Sequence, residues 1–186
     1  MKKIITSLMA VVLTVGLVAG SAYALFSNNV DVGGLTITTG NADLKIWNNG
    51  SWQDGFNPSD FVFKDLYPGV TKKVAFSLKN SSLSAISLKL AGKISSVGSQ
   101  SPADSWEKLK DHVFVQITDQ ANGNNLTGGW RTIKDWNAGV VAIGDSLSQN
   151  QSKWYNFELK VDSGAGNEIS GRSLTYMTFQ FTGTQQ

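Results

Sequence analysis

Short runs in which apolar and polar residues alternate recur through most of this chain. The apolar members of the runs are Val74, Phe76 and Leu78; Ile86, Leu88 and Leu90; Val113, Val115 and Ile117; Phe157, Leu159 and Val161; and Met177, Phe179 and Phe181. A spacing of two residues places the apolar side chains of each run on one face of a β-strand. Clusters of Gly, Asn, Ser and Asp separate the runs and are typical of turns. The sequence therefore predicts an all-β fold, a jelly-roll-like sandwich of two antiparallel sheets.

Two stretches favour short helices in the connections between strands. In residues 101–111, Ser101 is a candidate cap, Pro102 suits the first helical position and Asp104 suits the positive end of the helix dipole. Trp106 and Leu109 would then share one face and pack on a sheet. A second short helix is predicted near residues 133–137.

The first 24 residues have the pattern of an export signal. Lys2 and Lys3 precede an apolar run, and Ala22 and Ala24 supply the small residues of a cleavage site. The apolar run is shorter than the roughly 20 residues that a spanning helix needs, which disfavours a retained membrane anchor. We therefore expect signal peptidase to cut between Ala24 and Leu25 and the protein to be secreted.

Net charge and cysteine content exclude several classes of function. The signal holds two of the 16 basic residues and no acidic residue, so 14 Lys and Arg remain against 14 Asp and Glu. This balance predicts no nucleic-acid partner. The chain has no cysteine, so disulfides and thiol chemistry are excluded, and stability has to come from packing, strand pairing or assembly.

Catalytic motifs are not found in the sequence. His112 is the only histidine, and a lone histidine beside a strand is more often structural or exposed than catalytic. A zinc motif of the H-E-x-x-H type needs two histidines. Asp43 near Asp54, and Asp60 with Asp65, are pairs of acids that most simply solvate loops. No catalytic residue, metal site or cofactor is predicted, and the protein is not expected to be an enzyme.

The six tryptophans leave two interpretations open. They are Trp47, Trp52, Trp106, Trp130, Trp136 and Trp154. Side chains of this size favour packing in the core and between the sheets. Exposed on one face, however, they could stack on sugars, as in a carbohydrate-binding sandwich.

Cleavage after Ala24 would create an N-terminus that is itself a β-strand. In residues 25–32 one face holds Phe26, Val30 and Val32 and the other is mostly polar. Gly33 and Gly34 follow, and the apolar phase then shifts by one residue, as at a bulge or kink. Such a strand on a glycine hinge could be donated to the sheet of a neighbour. The alternative is an ordinary first strand that folds into its own subunit.

Several segments, taken in order, resemble the TasA/camelysin family, which includes the major protein fibre of bacterial biofilm matrices. The signal followed by Leu25-Phe26-Ser27 and by Thr39-Gly40-Asn41-Ala42-Asp43-Leu44 resembles the SipW-dependent signal-peptide class. Residues 63–76 are similar to the family segment L-x-P-G-D-x-x-x-x-x-F, and residues 76–86 to F-x-x-x-N-x-G-S-L-A-I. Residues 171–185 are similar to its final strand. Related archaeal bundling pili share the architecture.

The resemblance implies a secreted jelly-roll subunit of extracellular matrix or cell-surface fibres. Its partners would be copies of itself joined head to tail by the N-terminal strand, with an accessory anchoring or nucleating protein as a further candidate. The expected organisation is a signal at 1–24, a donor segment with its hinge at 25–34 and a jelly-roll domain at 35–186. The alternatives are a secreted carbohydrate-binding module and a camelysin-like peptidase, although no zinc site supports the peptidase.

Overall fold

The computed structural model describes residues 42–55 and 67–186, together with the backbone of residues 27–32. The elements in chain order are β1 (Ser27–Val32), β2 (Leu44–Asn48), β3 (Ser51–Gln53), β4 (Thr71–Asn80), β5 (Leu88–Ser96), β6 (Ser99–Ser101), α1 (Ser105–Leu109), β7 (Val113–Asp119), β8 (Arg131–Thr132), α2 (Ile133–Ala138), β9 (Val141–Leu147), β10 (Ser152–Val161), a 3-10 turn (Asn167–Ile169), β11 (Ser173–Thr175) and β12 (Thr178–Gln185).

The strands form a four-stranded sheet, a six-stranded sheet and a small ribbon. The four-stranded sheet has the order β1-β12-β5-β9, the six-stranded sheet β3-β2-β4-β10-β7-β8, and β11 pairs with β6. Neighbouring strands in all three are antiparallel. Apart from the β2–β3 hairpin and the short strand β8, the strands β1, β4, β5, β7, β9, β10 and β12 alternate in chain order between the two large sheets, as in a jelly roll. The predicted fold class is confirmed.

The core lies between the two large sheets and is built from the alternating residues. Val113, Val115 and Ile117 are buried, as are Phe157, Leu159 and Val161, whereas the residues between them face outward. Aromatic rings join the sheets: Phe76 stacks on Phe181 at 5.0 Å between ring centroids, and Phe157 meets Phe179 edge-on at 4.7 Å. Contacts of this kind add to the free energy that burial of apolar area supplies.

The hairpin between β2 and β3 turns at a cluster that the sequence marks as a turn. Asn49 and Gly50 have φ values of 47° and 85°. Positive φ at both central residues is the geometry of a two-residue hairpin turn, and Asn-Gly is its preferred sequence. The turn aligns Trp47 with Trp52 on neighbouring strands.

The second helix lies where the sequence predicts it and closes one edge of the core. Thr132 and Asp135 form a reciprocal capping box at its N-terminus. Trp136 is fully buried, and its indole Nε1 donates a hydrogen bond to the Val115 carbonyl at 3.3 Å. A Cβ atom at Gly92 would lie 3.0 Å from the indole, so glycine gives the ring room.

The first helix begins later than predicted, and the predicted cap is wrong. Ser101 is the last residue of β6 and pairs with Ser173, so its backbone is committed to a strand. The helix starts at Ser105, and the side chain of Gln100 accepts a hydrogen bond from the Trp106 amide at 2.9 Å. The predicted packing of Trp106 and Leu109 against the core is confirmed.

Candidate functional site at the β1–β12 edge

The strand β1 forms one edge of the four-stranded sheet and covers the length of β12. The register runs from Ser27 opposite Thr184 to Val32 opposite Phe179. Val30 lies opposite Phe181. Residues directly opposite each other in an antiparallel pair belong to the same face of the sheet, and Phe179 and Phe181 belong to the core. The register thus places the predicted anchor positions Val30 and Val32 on the core face.

The core beneath β12 is aromatic and tightly packed. Phe179 contacts Phe157 and also Trp136, whose ring centroid is 5.8 Å away. Phe181 stacks on Phe76, which in turn lies 5.5 Å from Tyr155. A strand that lies along β12 therefore seals the edge of a preformed hydrophobic core.

A glycine on β12 makes room for the Leu88 side chain at one end of this edge. Gly183 lies opposite Asn28, and a Cβ atom on it would come within 2.9 Å of Leu88. Only glycine leaves the Leu88 side chain in place at this point. Gly183 is not among the predicted site residues, but its position could have been predicted because it continues the inward phase of Phe179 and Phe181.

The two ends of the connection from β1 to β2 lie at opposite ends of the sandwich. Val32 pairs with Phe179, near the start of β12, whereas Leu44 pairs with Asn80. Asn80 lies beside the end of β12, because its side chain donates a hydrogen bond to the Leu147 carbonyl and Leu147 pairs with Leu88, the partner of Gln185. The start of β2 is therefore at the end of β12 that is far from Val32. Bridging these points along β12 takes about 20 Å, whereas 12 residue steps reach up to about 40 Å. The connection is about twice as long as its own sandwich requires.

Several predicted site residues lie outside the described part of the chain. They are the cleavage-site residues Ala22, Ala24 and Leu25, the anchor Phe26 and the hinge residues Gly33 and Gly34. Of the anchors, the structure gives the backbone positions of Val30 and Val32 and their pairing on β12.

A cluster of charged residues joins the two sheets at the end of the sandwich where β9 ends and β10 begins. The Lys153 ammonium lies 2.9 Å from Asp119 and 2.8 Å from Asp145, and Tyr155 donates a hydrogen bond to Asp145 at 3.0 Å. The bonds to Asp145 and Asp119 raise the pKa of Lys153, and the bond from Lys153 lowers the pKa of Asp119. Burial raises the pKa of the Tyr155 phenol, which therefore stays neutral. The cluster links β7 and β10 of the six-stranded sheet to β9 of the four-stranded sheet.

His112 lies half-buried between two carboxylates, as a structural residue would. Its ring nitrogens are 3.5 Å from Asp162 and 3.8 Å from Glu168, and its carbonyl accepts the Asp162 amide. The amide of Gly164 is the main cause that lowers the pKa of Asp162, and His112 contributes less. His112 ties the start of β7 to the loop after β10.

Of the two predicted pairs of acids, one lies in the described part of the chain. Asp43 and Asp54 both contact Lys45, so that this pair is an ion-pair network, while Asp60 and Asp65 lie outside the described residues. Within residues 42–55 and 67–186, no three His, Asp or Glu side chains are placed to hold a metal ion. In the same part of the chain, no helix is long and apolar enough to cross a membrane.

Packing in the core accounts for only some of the tryptophans. Trp136 is fully buried and Trp106 packs on the core, whereas Trp154 is 46% exposed. Trp47 alternates with the buried residues of β2 and pairs with Trp52, so both lie on the outer face of the six-stranded sheet. The expectation that the tryptophans serve the core is therefore wrong for Trp47, Trp52 and Trp154.

Comparisons with known proteins include a distant structural likeness. No family model and no curated protein matches the chain. Among solved structures, the CupB6 tip adhesin from Pseudomonas aeruginosa aligns with 18% identity and a TM-score of 0.30 over 65% of this chain. The aligned part spans 33% of the adhesin, so this chain matches about a third of that protein. A likeness of this size carries no argument about function.

Proposed function

We propose that the protein is a secreted structural subunit that polymerises into extracellular fibres by donating β1 to a neighbour. In the fibre, β1 of one subunit lies along β12 of the next and takes the place that β1 holds in the single chain. The observation that carries the proposal is the position of β1, which is an edge strand opposite the aromatic core residues Phe179 and Phe181.

The energetics of exchange favour assembly at high concentration. A donated β1 makes the contacts with β12 that it makes within its own chain, so the exchange conserves the ladder and the core contacts. Ordering β1 costs about 1–2 kcal/mol per residue, whether it pairs with its own β12 or with that of a neighbour. The balance then depends on protein concentration and on new contacts between subunits, as in domain swapping.

The connection from β1 to β2 is long enough to allow donation. Residues 33–43 can extend up to about 40 Å, so β1 can leave its own β12 while β2 keeps its pairing with β4. Because the donating and accepting surfaces differ, each subunit can both donate and accept. Such a head-to-tail contact continues into a filament when it does not close into a ring.

Removal of the donor tests the proposal. Mature protein lacking residues 25–32 should form no fibres in electron microscopy, while a synthetic peptide of residues 25–34 should restore its thermal stability without restoring fibres. Val30→Asp should abolish fibres as well, because position 30 faces the core, whereas Asn29→Asp, on the opposite face, should keep them. Fibres of normal appearance from the truncated protein would overturn the mechanism.

A further inference from the structure

The outer face of the six-stranded sheet carries an aromatic row. Trp52 and Trp47 are directly paired, and their rings meet edge-on at 5.1 Å between centroids. Trp154 on β10 is opposite Ser77 on β4, and the register of β2 with β4, continued by one residue past Ile46 and Leu78, brings Trp47 to the other side of Ser77. Three indoles therefore lie in one line across β3, β2, β4 and β10, with a small serine between the last two.

Lysines accompany the aromatic rings at both ends of this face. The Lys79 ammonium lies 5.8 Å from the centroid of the Trp52 ring, and the Lys160 ammonium lies 4.6 Å from that of Trp130 and 5.2 Å from that of Phe114. Among the described residues, no carboxylate forms an ion pair with Lys79 or Lys160. Both cations are therefore open to a bound carboxylate.

The two lysines are far apart along the strand direction. Lys79 pairs with Ser152 at the start of β10, and Lys160 lies eight residues further along the same strand. At about 3.4 Å per residue, this separation is about 27 Å. The spacing suits an extended polymer rather than a small molecule.

Polar side chains fixed by hydrogen bonds lie between the two ends. Glu158 accepts hydrogen bonds from Gln116 at 2.7 Å and from Thr118 at 3.0 Å, and Lys73 lies 3.6 Å from it. Asn156 donates to Thr118 at 3.3 Å. Asn156 and Thr118 are buried and hold the network in place, so Gln116 and Glu158, which are partly exposed, are the groups that can bind hydroxyl groups of a ligand.

From these features we infer that the outer face of the six-stranded sheet binds a linear polysaccharide that carries carboxylates. Sugar rings stack their C–H faces on Trp154 and the neighbouring indoles, hydroxyl groups meet the polar middle, and uronate-type carboxylates pair with Lys79 and Lys160. This inference does not depend on strand donation, because no residue of β1 or β12 belongs to the face.

A single-stranded nucleic acid is the rival polyanion, since its bases also stack on aromatic rings. Binding of that kind needs a strongly positive groove. Here Glu158 lies in the middle of the face, and Asp43 and Asp54 at its edge neutralise Lys45. The charge balance favours a polymer with sparse carboxylates.

Affinity electrophoresis of the mature protein tests the inference with two polymers that share one backbone. Gels containing carboxymethylcellulose should retard the protein, and gels containing hydroxyethylcellulose should retard it much less. Trp154→Ala and Lys160→Gln should each weaken the apparent affinity by about tenfold, and added salt should weaken it further. Tyr176→Ala and Lys89→Gln are the controls, because these exposed residues lie off the face.

Three results would overturn the inference: retardation of Trp154→Ala equal to that of the natural protein, equal retardation by the neutral polymer, or tighter binding of an oligo-dT strand than of carboxymethylcellulose. Because Trp154 is 46% exposed, its replacement should leave the thermal unfolding midpoint within a few degrees. Lys160→Gln tests the contribution of the charge to binding without removing an aromatic ring.

Discussion

At the scale of single residues, the sandwich depends on a few positions where only one kind of side chain fits. Gly98, in the turn between β5 and β6, combines a φ of +68° with a close approach of the chain after β11. A Cβ atom there would lie 2.1 Å from the Thr175 carbonyl oxygen. Backbone atoms cannot move aside as a flexible side chain can, so glycine is required at this position.

Comparing Gly98→Ala with Gly123→Ala separates the cost of the positive φ from the cost of the steric clash. Gly123 has a similar φ of +73°, but nothing lies within 4 Å of its Cβ position. Gly123→Ala should cost about 1–2 kcal/mol of stability from the backbone conformation alone. Gly98→Ala should cost at least about 1 kcal/mol more because of the clash. Urea unfolding measures both, and equal losses would contradict the described approach of Thr175.

Lys153 should make stability depend on pH in a defined way. The pKa of Asp119 is lowered from 3.8, so its contribution is present above that value and is lost as the pH falls through the folded pKa. The pKa of Lys153 is raised from 10.5, so its contribution is present below that value and is lost as the pH rises through the folded pKa.

Replacing Lys153 tests this pH dependence. Lys153→Met should lower the melting temperature by several degrees between about pH 4 and pH 10, because Asp119 loses its partner. Below this range the difference from the natural protein should shrink. Thermal unfolding followed by circular dichroism across pH measures the effect, with the exposed Lys89→Met as the control. A loss that is the same at every pH would show that the ion pairs do not contribute.

At the scale of elements, the longer strands were predictable because each has a buried face, whereas the strands that they pair with were not. The alternation of Val113, Val115 and Ile117 is a local signal. The pairing of β1 with β12 joins residues at the two ends of the described chain, and no local pattern specifies it. The two acids that pair with Lys153 could have been predicted to face inward, because Asp119 and Asp145 continue the buried phases of β7 and β9.

The misplaced start of α1 has a similar cause. Ser101 and Pro102 have the local chemistry of a helix start. The strand partner of Ser101 is Ser173, which lies far along the sequence, and that pairing overrides the local preference. Gln100 then supplies the side-chain acceptor from within β6, which a search for Ser, Thr, Asp or Asn caps does not find.

The capping box of α2 should be worth a measurable part of the stability. Thr132 accepts the Asp135 amide at 3.1 Å, and Asp135 accepts the Thr132 amide at 3.0 Å. Thr132→Ala removes the acceptor and should cost about 1 kcal/mol. Thr132→Ser keeps the hydroxyl and should lose far less. Chemical unfolding of the two variants tests the cap, and equal losses would assign the effect to the lost methyl group instead.

At the scale of the whole molecule, the contacts between β1 and β12 can form either within one chain or between neighbouring subunits of a fibre. The jelly roll places β1 at an edge, over an aromatic core, on a connection longer than its own sandwich needs. Under the proposed function, β1 closes the sheet within the subunit at low concentration and closes the neighbour's sheet in the fibre. Assembly should therefore rise steeply with protein concentration, as turbidity or light scattering can measure; a constant assembled fraction across dilutions would contradict exchange.

Disulfide trapping between two single-cysteine variants tests strand donation most directly. The natural chain has no cysteine, and Asn29 pairs with Thr182 across β1 and β12, a spacing that suits a disulfide. Asn29→Cys and a size-tagged Thr182→Cys are mixed, assembled into fibres and oxidised. Strand donation predicts a disulfide-linked heterodimer on a non-reducing gel, which should be absent when either variant is mixed with Asn28→Cys instead. If the heterodimer is absent from the mixture while the Asn29→Cys/Thr182→Cys double variant forms only an intramolecular disulfide, β1 stays in its own chain and the proposed mechanism is wrong.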